Sequence, residues 1–474
     1  MAVARLQALR NLAKPAGFRG EVRRRHAKAF AAALASATLG LAFATVGPLT
    51  AVASANGPGG SGGTGLGGTT TPTTPASTTK PAATVAGPAV IAVPKNNPFA
   101  GRGMWIWEMP DSDRGNVAAI IAQAKQYRIR TLLIKSSDGP TMWSQFSKTL
   151  VTDLHEAGLK VCAWQFVYGL RPLIEANLAR NAVKDGADCL VIDAESAYQG
   201  KYPAASTYIA RLRKLIGNGF PVGLAGFPYI DYHLSFPYSV FLGPNGAQYN
   251  LPQMYWADIG TTVSAVFSHT YEYNEIYRRP IFPLGQLFGR LSARAIEQFN
   301  TLASDYGATG VSWWDWQSAS LSFFSDVDKL GDPPYAFKPS HTAATIYRGN
   351  KGDLVIWAQE HLVGAGFKLA IDGDFGPATQ SAVRAFQTRR HLPLTGTVNG
   401  ATWNALVKVT PVKVTWTRRK KGGVVAIVTH NAKAAGHIAQ QTLAEPVPSW
   451  VNQIPTRNEL HGEPGAGRPR SASR

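Results

Sequence analysis

Residues 146–195 read FSKTLVTDLHEAGLKVCAWQFVYGLRPLIEANLARNAVKDGADCLVIDAE and contain two successive copies of one pattern. In each copy a helix-like stretch ends at a glycine, and a short run rich in β-branched and apolar residues follows. Glycine is common just past a helix C-terminus because it adopts a left-handed backbone without strain. The two copies are 146–157, Gly158 and 159–166, then 176–185, Gly186 and 188–193. Strands that alternate with helices in this way predict parallel β-α-β units.

The same alternation extends over residues 99–335. The eight strand candidates are 104–107, 130–135, 159–166, 188–193, 220–225, 250–256, 279–286 and 309–314. The helix-like stretches between them include 117–127, 146–157, 176–185, 206–216, 263–277 and 293–306. Eight β/α units in this length predict a (β/α)8 TIM barrel, an α/β fold. A doubly wound open sheet is the alternative, but no glycine-rich phosphate loop follows the first strand.

A second compact unit is predicted at residues 347–407. Tight Asp-Gly or Asn-Gly turns alternate there with helical stretches whose apolar residues recur at intervals of three and four. The motifs are Asp372-Gly373-x-Phe375-Gly376-x-x-Thr379, Ala382-Val383-x-x-Phe386-Gln387 and Thr402-Trp403-x-x-Leu406. They resemble the peptidoglycan-binding domain 1 family, a three-helix bundle found beside many wall hydrolases. The resemblance implies a small all-α domain whose partner is peptidoglycan.

Three polar residues of this unit are candidate peptidoglycan-binding residues. Asp372, Asp374 and Thr379 carry groups that hydrogen-bond a sugar or a stem peptide. A structural role in the turn is an equally open interpretation for each of them.

The formal charge of +19 is concentrated at the two ends of the chain. Residues 1–55 and 411–474 contribute +7 each, which leaves +5 for the middle. Nucleic-acid binding requires a basic face on a folded domain, so we expect no nucleic-acid partner. Residues 411–474 begin with strand-like runs at 412–416 and 424–429 and are otherwise predicted to be a largely disordered basic tail, suited to anionic wall polymers.

The N-terminal segment predicts export. Arg23-Arg24-Arg25 precedes an apolar run at 29–46, and Ala53-Ser54-Ala55 offers a cleavage site, so 1–55 is predicted to be a signal peptide. The alternative is an uncleaved anchor, for which the run is short. Residues 56–98 are rich in Gly, Thr and Pro and predict a flexible linker. We therefore expect a secreted, wall-associated monomer with no stable membrane span after cleavage.

The carboxyl ends of the predicted strands form the rim where TIM-barrel enzymes carry their active sites. These ends are rich in aromatic, amide and carboxylate side chains, which stack on sugar rings and hydrogen-bond sugar hydroxyls. The candidate substrate-binding residues are Trp105, Trp107, Glu108, Trp164, Gln165, Tyr255, Trp256, Gln286, Trp314, Asp315 and Gln317. One such strand end would indicate core packing, whereas several at one rim favour a carbohydrate site.

Asp193 and Glu195 are the candidate catalytic residues. Two positions apart on one strand, they point to the same face. Neighbouring carboxylates push their pKa values apart, so that one serves as a general acid while the other stays ionised. Glycoside hydrolysis needs this division of roles. The alternative is a structural pair bound to Lys135 or to backbone amides.

The stretch Val191-Ile192-Asp193-Ala194-Glu195 resembles the Asp-x-Glu motif on strand four of glycoside hydrolase family 25 lysozymes. The tryptophan-rich strand eight is similar to theirs as well. The resemblance implies that Glu195 is the acid and that Asp193 assists it. The family opens strand one with an Asp-x-Ser type of motif, where this sequence has Trp105-Ile106-Trp107-Glu108. Related barrels combine an Asp-x-Glu strand end with assistance from the substrate.

Other wall-enzyme classes find no motif in this sequence. It has no His-Glu-x-x-His zinc motif, and no metal or cofactor is expected. Its two cysteines, Cys162 and Cys189, fall on neighbouring predicted strands, where they are buried thiols or a disulfide.

Two functions from different classes remain. The first is a secreted enzyme that binds peptidoglycan and hydrolyses its glycan strand or a related glycan. The second is a non-catalytic wall-binding protein whose barrel keeps a sugar-binding cleft, which the missing strand-one motif favours.

Overall fold

A computed structural model describes residues 97–332, 337–418, 424–429 and 445–446. The predicted signal peptide, the predicted linker up to residue 96 and the other parts of the basic tail lie outside these residues. In the described part of the chain, no helix is long and apolar enough to cross a membrane.

The first unit is a closed barrel of eight parallel strands. A two-residue hairpin strand, β3 (Thr141–Met142), pairs antiparallel with the end of the second barrel strand, at Ser137 and Asp138. The barrel strands are β1 (Gly101–Ile106), β2 (Ile129–Asp138), β4 (Lys160–Val167), β5 (Cys189–Ala194), β6 (Val222–Gly226), β7 (Tyr249–Pro252), β8 (Leu284–Gln286) and β9 (Gly310–Trp314). They are ordered β7-β6-β5-β4-β2-β1-β9-β8. Two parallel bridges, Asn250 to Ile281 and Gln253 to Leu284, close the ring between β7 and β8. The predicted (β/α)8 fold is confirmed.

Helices cover the outside of this barrel. They are α1 (Val117–Gln126), α2 (Lys148–Glu156), α3 (Pro172–Lys184), α4 (Tyr202–Ile216), α5 (Tyr238–Phe241), α6 (Trp256–Ile259), α7 (Val263–Asn274), α8 (Ala293–Asp305) and α9 (Leu321–Asp326). Several begin at a side-chain cap: Ser147, Thr262 and Ser292 each accept a hydrogen bond from the backbone N–H three residues later. These caps satisfy N–H groups that a helix leaves unpaired in its first turn.

Two strands are shorter than the sequence predicts. The strand expected at 250–256 ends at Pro252, and Trp256 already begins α6. The strand expected at 279–286 is reduced to Leu284–Gln286. Prolines explain both differences, because Pro252, Pro280 and Pro283 have no N–H to donate to a neighbouring strand.

Alternation along the strands divides the core into two layers. One side of each strand faces the helices, while the other fills the barrel with large side chains such as Trp105, Trp164 and Trp314. Cys162 and Cys189 belong to this inner layer, opposite each other on β4 and β5, and form a disulfide. The sequence left thiols and a disulfide open, and the structure has the disulfide.

The second unit contains three helices, α10 (Asp353–Gly364), α11 (Pro377–Arg389) and α12 (Gly400–Leu406). Two buried glutamines hold its turns. Gln359 binds the backbone N–H of Asp372 and Gly373 through Oε1 and the Thr379 hydroxyl through Nε2. Gln387 binds Gly396, Thr395 and Thr402 in the same way, so the unit contains two versions of one helix-turn-helix device.

This three-helix module packs directly on the side of the barrel. Asp353, the first residue of α10, is 1% exposed and accepts four hydrogen bonds from barrel groups. The donors are Tyr202 Oη at 2.9 Å, Tyr277 Oη at 2.7 Å, Ser239 Oγ at 2.8 Å and Ser239 N at 2.7 Å. One turn later the Trp357 indole donates to the Ile276 carbonyl at 3.1 Å. The module is thus fixed by buried polar contacts of specific geometry.

The chain returns to the barrel after the module. Strands β10 (Lys413–Arg418) and β11 (Val424–Thr429) pair antiparallel, and the two-residue β12 (Glu445–Pro446) pairs with β11. Trp416 is buried, with its ring 4.6 Å from that of Tyr202 on α4. The strand-like runs expected at 412–416 and 424–429 correspond to β10 and β11.

We expect Asp353→Ala to lower the free energy of unfolding of the full chain by about 2–4 kcal/mol, because it leaves several buried donors without an acceptor. Asp374→Ala is the matched control, since Asp374 is more than a third exposed and pairs with Lys351 at 3.4 Å. Such a surface pair contributes about 0–1 kcal/mol. Urea unfolding followed by tryptophan fluorescence measures both. Equal effects of the two substitutions would contradict the role of Asp353.

Candidate functional site

The two candidate catalytic carboxylates lie side by side at the carboxyl end of β5. Asp193 is paired with Phe166 of β4 and with Ala225 of β6, and Glu195 follows directly after the strand. Both residues are 2% exposed. Because consecutive strand residues point to opposite faces, the spacing of two brings both carboxylates to the same side.

One side chain links them. The Gln253 amide, just past β7, donates from Nε2 to Asp193 Oδ1 at 3.1 Å and to Glu195 Oε1 at 2.9 Å. A single nitrogen within reach of both oxygens keeps the two carboxylates close together. The pair is therefore held in place by a strand two positions away around the barrel.

Burial and charge set the protonation of Asp193. Removal from water raises the pKa of the Asp193 carboxyl to about 7, while the Lys135 ammonium and the Gln253 hydrogen bond oppose the rise. Lys135 donates to Asp138 Oδ2 at 2.6 Å. A carboxyl with such a pKa carries a proton in mildly acidic solution.

The Lys135 ammonium is surrounded by aromatic rings. It lies 4.3 Å from the ring centre of Trp143, 4.9 Å from that of Trp164 and 5.6 Å from that of Trp107. The negative faces of these rings stabilise a buried cation. The positive charge beside Asp193 is thereby kept inside a nearly dry site.

Three polar atoms at this rim are buried and unpaired among the described residues: Gln253 Oε1, the Tyr255 hydroxyl and Asp315 Oδ2. Tyr255 interacts electrostatically with Asp193, Glu195 and Asp315, which places these groups around one point. Burial raises the pKa of Asp315 to about 6, against hydrogen bonds from Ser318. Buried polar atoms are rarely left without partners, so these three are the rim atoms available to pair with a ligand.

Aromatic side chains form the floor beneath this point. The rings of Trp105, Trp164 and Trp314 lie 5.3–5.5 Å apart, centre to centre, and are nearly fully buried. Trp107 is 36% exposed and lies 6.4 Å from Trp314, so it extends the aromatic surface outward. Of the four predicted tryptophans on this side, Trp107 is the one with a face open to solvent.

Three predicted substrate-binding residues lie elsewhere. Gln165 faces the helices, where it donates to the Glu175 carbonyl and accepts from the Tyr208 hydroxyl. Trp256 packs on Phe299 of α8, 5.2 Å away. Side chains alternate between the two faces of a strand, so Gln165 points outward because its neighbour Trp164 points inward. Trp256, which begins α6, points outward beside the inward-facing Tyr255.

Gln286 is also engaged structurally: its Oε1 accepts from Ala257 N at 2.8 Å and Asp258 N at 3.2 Å. Gln317 and Glu108 stay at the rim. Gln317 accepts from the Trp107 backbone N–H, and the Glu108 carbonyl accepts from Ser112.

Gln253 and Lys135 have larger roles than their positions in the sequence indicate. Both stand at strand ends among the rim residues, and each has the inward parity of its strand. That parity is the signal that separates them from Gln165. Gln253 lies about 60 residues from its partners Asp193 and Glu195 in the sequence, so only the folded barrel shows these contacts.

The three candidate peptidoglycan-binding residues of the module are tied into its turns. Asp372 Oδ1 accepts from Gln359 and from the Asp374 backbone, and Thr379 donates to the Asp374 carbonyl. Thr379 is buried, whereas the Asp374 side chain is more than a third exposed. Asp374 is thus the member of this set that is best placed to meet a ligand.

A cavity of about 320 Å³ lies at the opposite end of the barrel, where Gly101 and Gly310 begin their strands. Within the described ranges, no three histidine, cysteine or acidic residues are placed to hold a metal ion.

Residues 351–406 match the family model described as "Putative peptidoglycan binding domain". The prediction of a C-terminal peptidoglycan-binding domain is confirmed. A peptidoglycan-binding protein from Clostridioides difficile is 37% identical, with 14% of this chain and 43% of that one covered and a TM-score of 0.14.

Two further proteins are similar to this chain over longer stretches. A zinc D-Ala-D-Ala carboxypeptidase of Streptomyces albus G is 34% identical over 131 residues, 25% of this chain. The chain spans about half (49%) of the length of that curated relative. A chitinase from Chromobacterium violaceum is 11% identical, with 48% of this chain and 98% of that one covered and a TM-score of 0.38. The barrel assignment rests on the strand order described above.

The raised pKa of Asp193 predicts a specific pH dependence of stability. Between the ordinary value near 4 and about 7, the folded state binds more protons than the unfolded state, so ionisation of Asp193 lowers stability as pH rises. Asp193→Asn removes this loss. We expect the stability of the variant relative to the native chain to increase from pH 4 to 7 and to level off above.

Urea unfolding of both proteins at unit pH intervals measures this difference. Asn keeps an acceptor for Gln253, which limits the change to the titrating group. A difference that does not vary with pH would show that Asp193 does not hold its proton in the folded chain.

Proposed function

We propose that this is a wall protein that binds peptidoglycan through residues 351–406 and hydrolyses its glycan strand at the barrel rim. The match to the peptidoglycan-binding family supports the first part. The second part is carried by one observation, the cluster of buried and unpaired polar atoms around the linked carboxylates Asp193 and Glu195. A sugar offers the hydroxyl and amide groups that would pair with these atoms.

In this proposal Glu195 donates a proton to the oxygen of the scissile glycosidic bond. Asp193 assists from the adjacent position, with Lys135 and Gln253 setting its charge and orientation. Tyr255 and Asp315 offer their unpaired oxygens to the sugar that carries the reacting carbon. General acid catalysis by one positioned group contributes about 10²–10⁴-fold to a rate.

The spacing of the pair bears on stereochemistry. Asp193 Oδ1 and Glu195 Oε1 lie within 3.1 and 2.9 Å of the same nitrogen, so they cannot be farther apart than the sum of these distances. An inverting pair needs roughly 6.5–9.5 Å to admit a water between its carboxylates. We therefore propose retention of the anomeric configuration in two steps. As Glu195 protonates the leaving oxygen, the acetamido oxygen of the substrate's own amino sugar bonds to the anomeric carbon. Water that gives its proton to Glu195 then displaces this oxygen, which releases the sugar and restores the acid.

Trp107 and Trp314 supply the stacking surface for a sugar ring. Trp107 presents its exposed face beside the nearly buried Trp314. An amphipathic sugar ring fits such a surface, because its C–H face is apolar while its edge is polar. This arrangement places the glycan above the aromatic floor and next to Lys135.

A non-catalytic role is the second candidate, and the burial of the carboxylates favours it. Asp193 and Glu195 are each 2% exposed, so a substrate must gain access past the surrounding side chains. A barrel that retained only its aromatic surface would bind wall glycan without cutting it.

We also propose export and retention at the cell wall. The signal-peptide features of residues 1–55 and the linker composition support export, and the disulfide between Cys162 and Cys189 suits an oxidising compartment. The zinc D-Ala-D-Ala carboxypeptidase that shares part of this sequence supports the wall location, because it acts on D-Ala-D-Ala.

We expect Glu195→Gln to reduce the release of new reducing ends from purified peptidoglycan by about 10²–10⁴-fold, because it removes the proton donor. Glu156→Gln is the control, an exposed carboxylate on α2 outside the rim. Thermal melting verifies that both variants fold. No release by the native chain would exclude the hydrolase and leave the non-catalytic candidate.

Binding is tested separately with full-length Glu195→Gln, which leaves the polymer intact. We expect this protein to sediment with insoluble peptidoglycan and to be displaced by soluble peptidoglycan fragments. Insoluble cellulose serves as the control polymer. A protein that stays in the supernatant with peptidoglycan would contradict the binding proposal.

A further inference from the structure

One barrel loop touches both the carboxylate rim and the peptidoglycan-binding module. It is the segment 227–248, which connects β6 to β7 and includes α5. In a TIM barrel, a loop that follows a strand lies on the active-site face. This loop therefore joins two regions that the sequence places about 150 residues apart.

The first contact of the loop is with the segment after Glu195. The Tyr198 backbone N–H donates to the Glu195 carbonyl, and a single turn follows. Gln199 then meets the loop: its amide contacts the His233 ring at 3.2 Å and accepts from the Ser235 hydroxyl at 2.7 Å. The His233 ring stacks on Phe227 at 3.5 Å, which holds this part of the loop in place.

The second contact of the loop is with the start of α10. The Leu234 carbonyl accepts from the Asp353 backbone N–H at 2.9 Å. Gly352 lies so close to Leu234 that a Cβ atom there would be 2.9 Å from the Leu234 oxygen and 3.0 Å from its Cβ. Ser239, farther along the loop, donates twice to the Asp353 carboxylate. The module is thus anchored on the loop itself.

The loop also carries two apolar side chains that are exposed to solvent, at or next to the residues that make these contacts. Tyr232 is 46% exposed and Leu234 is 44% exposed. In the module, Lys351 directly precedes the Gly352 that meets Leu234, and it pairs with Asp374. Both of these side chains are more than a third exposed, and Tyr347 is 53% exposed. Together, an aromatic side chain, an aliphatic side chain and a charged pair offer stacking and hydrogen bonding to a glycan.

We propose that Tyr232 and Leu234 form a binding track for peptidoglycan. A single glycan strand follows this track from the carboxylate rim to the module. This inference rests on the proposed function, because both ends of the track are the sites proposed above. The occupant follows from continuity: the track begins at a rim suited to sugars and ends at a module of the peptidoglycan-binding family.

Because the module has a fixed position on the barrel, the track should favour the binding of long glycan strands. Asp353 and Trp357 hold α10 against the barrel, so the two ends of the track keep a constant separation. Two sites at a fixed distance on one polymer bind it cooperatively once the polymer is long enough to reach both, typically with a gain of about 10²–10⁴-fold in affinity. A freely tethered module would bind short and long fragments with a more gradual difference.

The test uses full-length Glu195→Gln and soluble glycan strands, uncross-linked and fractionated by length, with calorimetry as the readout. We expect long strands to bind about 10²-fold tighter than disaccharide fragments. Tyr232→Ser combined with Leu234→Ser should weaken binding of long strands by about tenfold and leave the short fragments unchanged. Leu330→Ser is the matched control, an exposed leucine at the opposite end of the barrel.

A second measurement does not depend on substitutions in the loop. Hydroxyl-radical footprinting of the Glu195→Gln protein should show slower oxidation of Tyr232 and Leu234 when long strands are bound, with Leu330 unchanged. Binding without a length dependence, or without protection of the loop, would overturn the track and leave the proposed function standing. Absence of binding to any fragment would overturn both.

Discussion

The closed ladder of parallel strands is the constraint on which the site depends. Because all eight strands run in one direction, their carboxyl ends meet at one rim, and the pairing of β5, β6 and β7 brings Gln253 across from Asp193 and Glu195. Closure between β7 and β8 completes the ring. That closure relies on two isolated bridges in a region where prolines shorten the strands. The curvature of the closed barrel brings the inward-facing rings of Trp105, Trp164 and Trp314 together as one floor.

The chemistry of the rim results from charge held in a nearly dry space. Burial favours the neutral form of Asp193, and the nearby Lys135 favours the ionised form. Lys135 is itself stabilised by Asp138 and by the faces of three tryptophans. Desolvation outweighs the nearby Lys135 ammonium, so the Asp193 carboxyl holds its proton more tightly than usual. Shifted pKa values of this kind are common in catalytic sites.

The contact between the barrel and the module gives the second unit a fixed position. Asp353 belongs to the Lys351-Gly352-Asp353 sequence that opens the module, yet its carboxylate binds only barrel donors among the hydrogen bonds described for it. A flexible linker would make the module an anchor at variable distance. Buried hydrogen bonds instead fix it against the side of the barrel, and the loop 227–248 contacts both the module and the rim.

The sequence by itself determined the periodic features: the eight β/α units, the module motifs, and the shared face of Asp193 and Glu195. These follow from local spacing, since helices and strands repeat at fixed intervals. Tertiary structure decided which neighbours face inward, as the separation of Trp164 from Gln165 and of Tyr255 from Trp256 shows. It also decided that Gln253 joins the carboxylates and that Asp353 joins two units. Such contacts link residues tens to hundreds of positions apart, and only the closed, packed chain brings them within hydrogen-bonding distance.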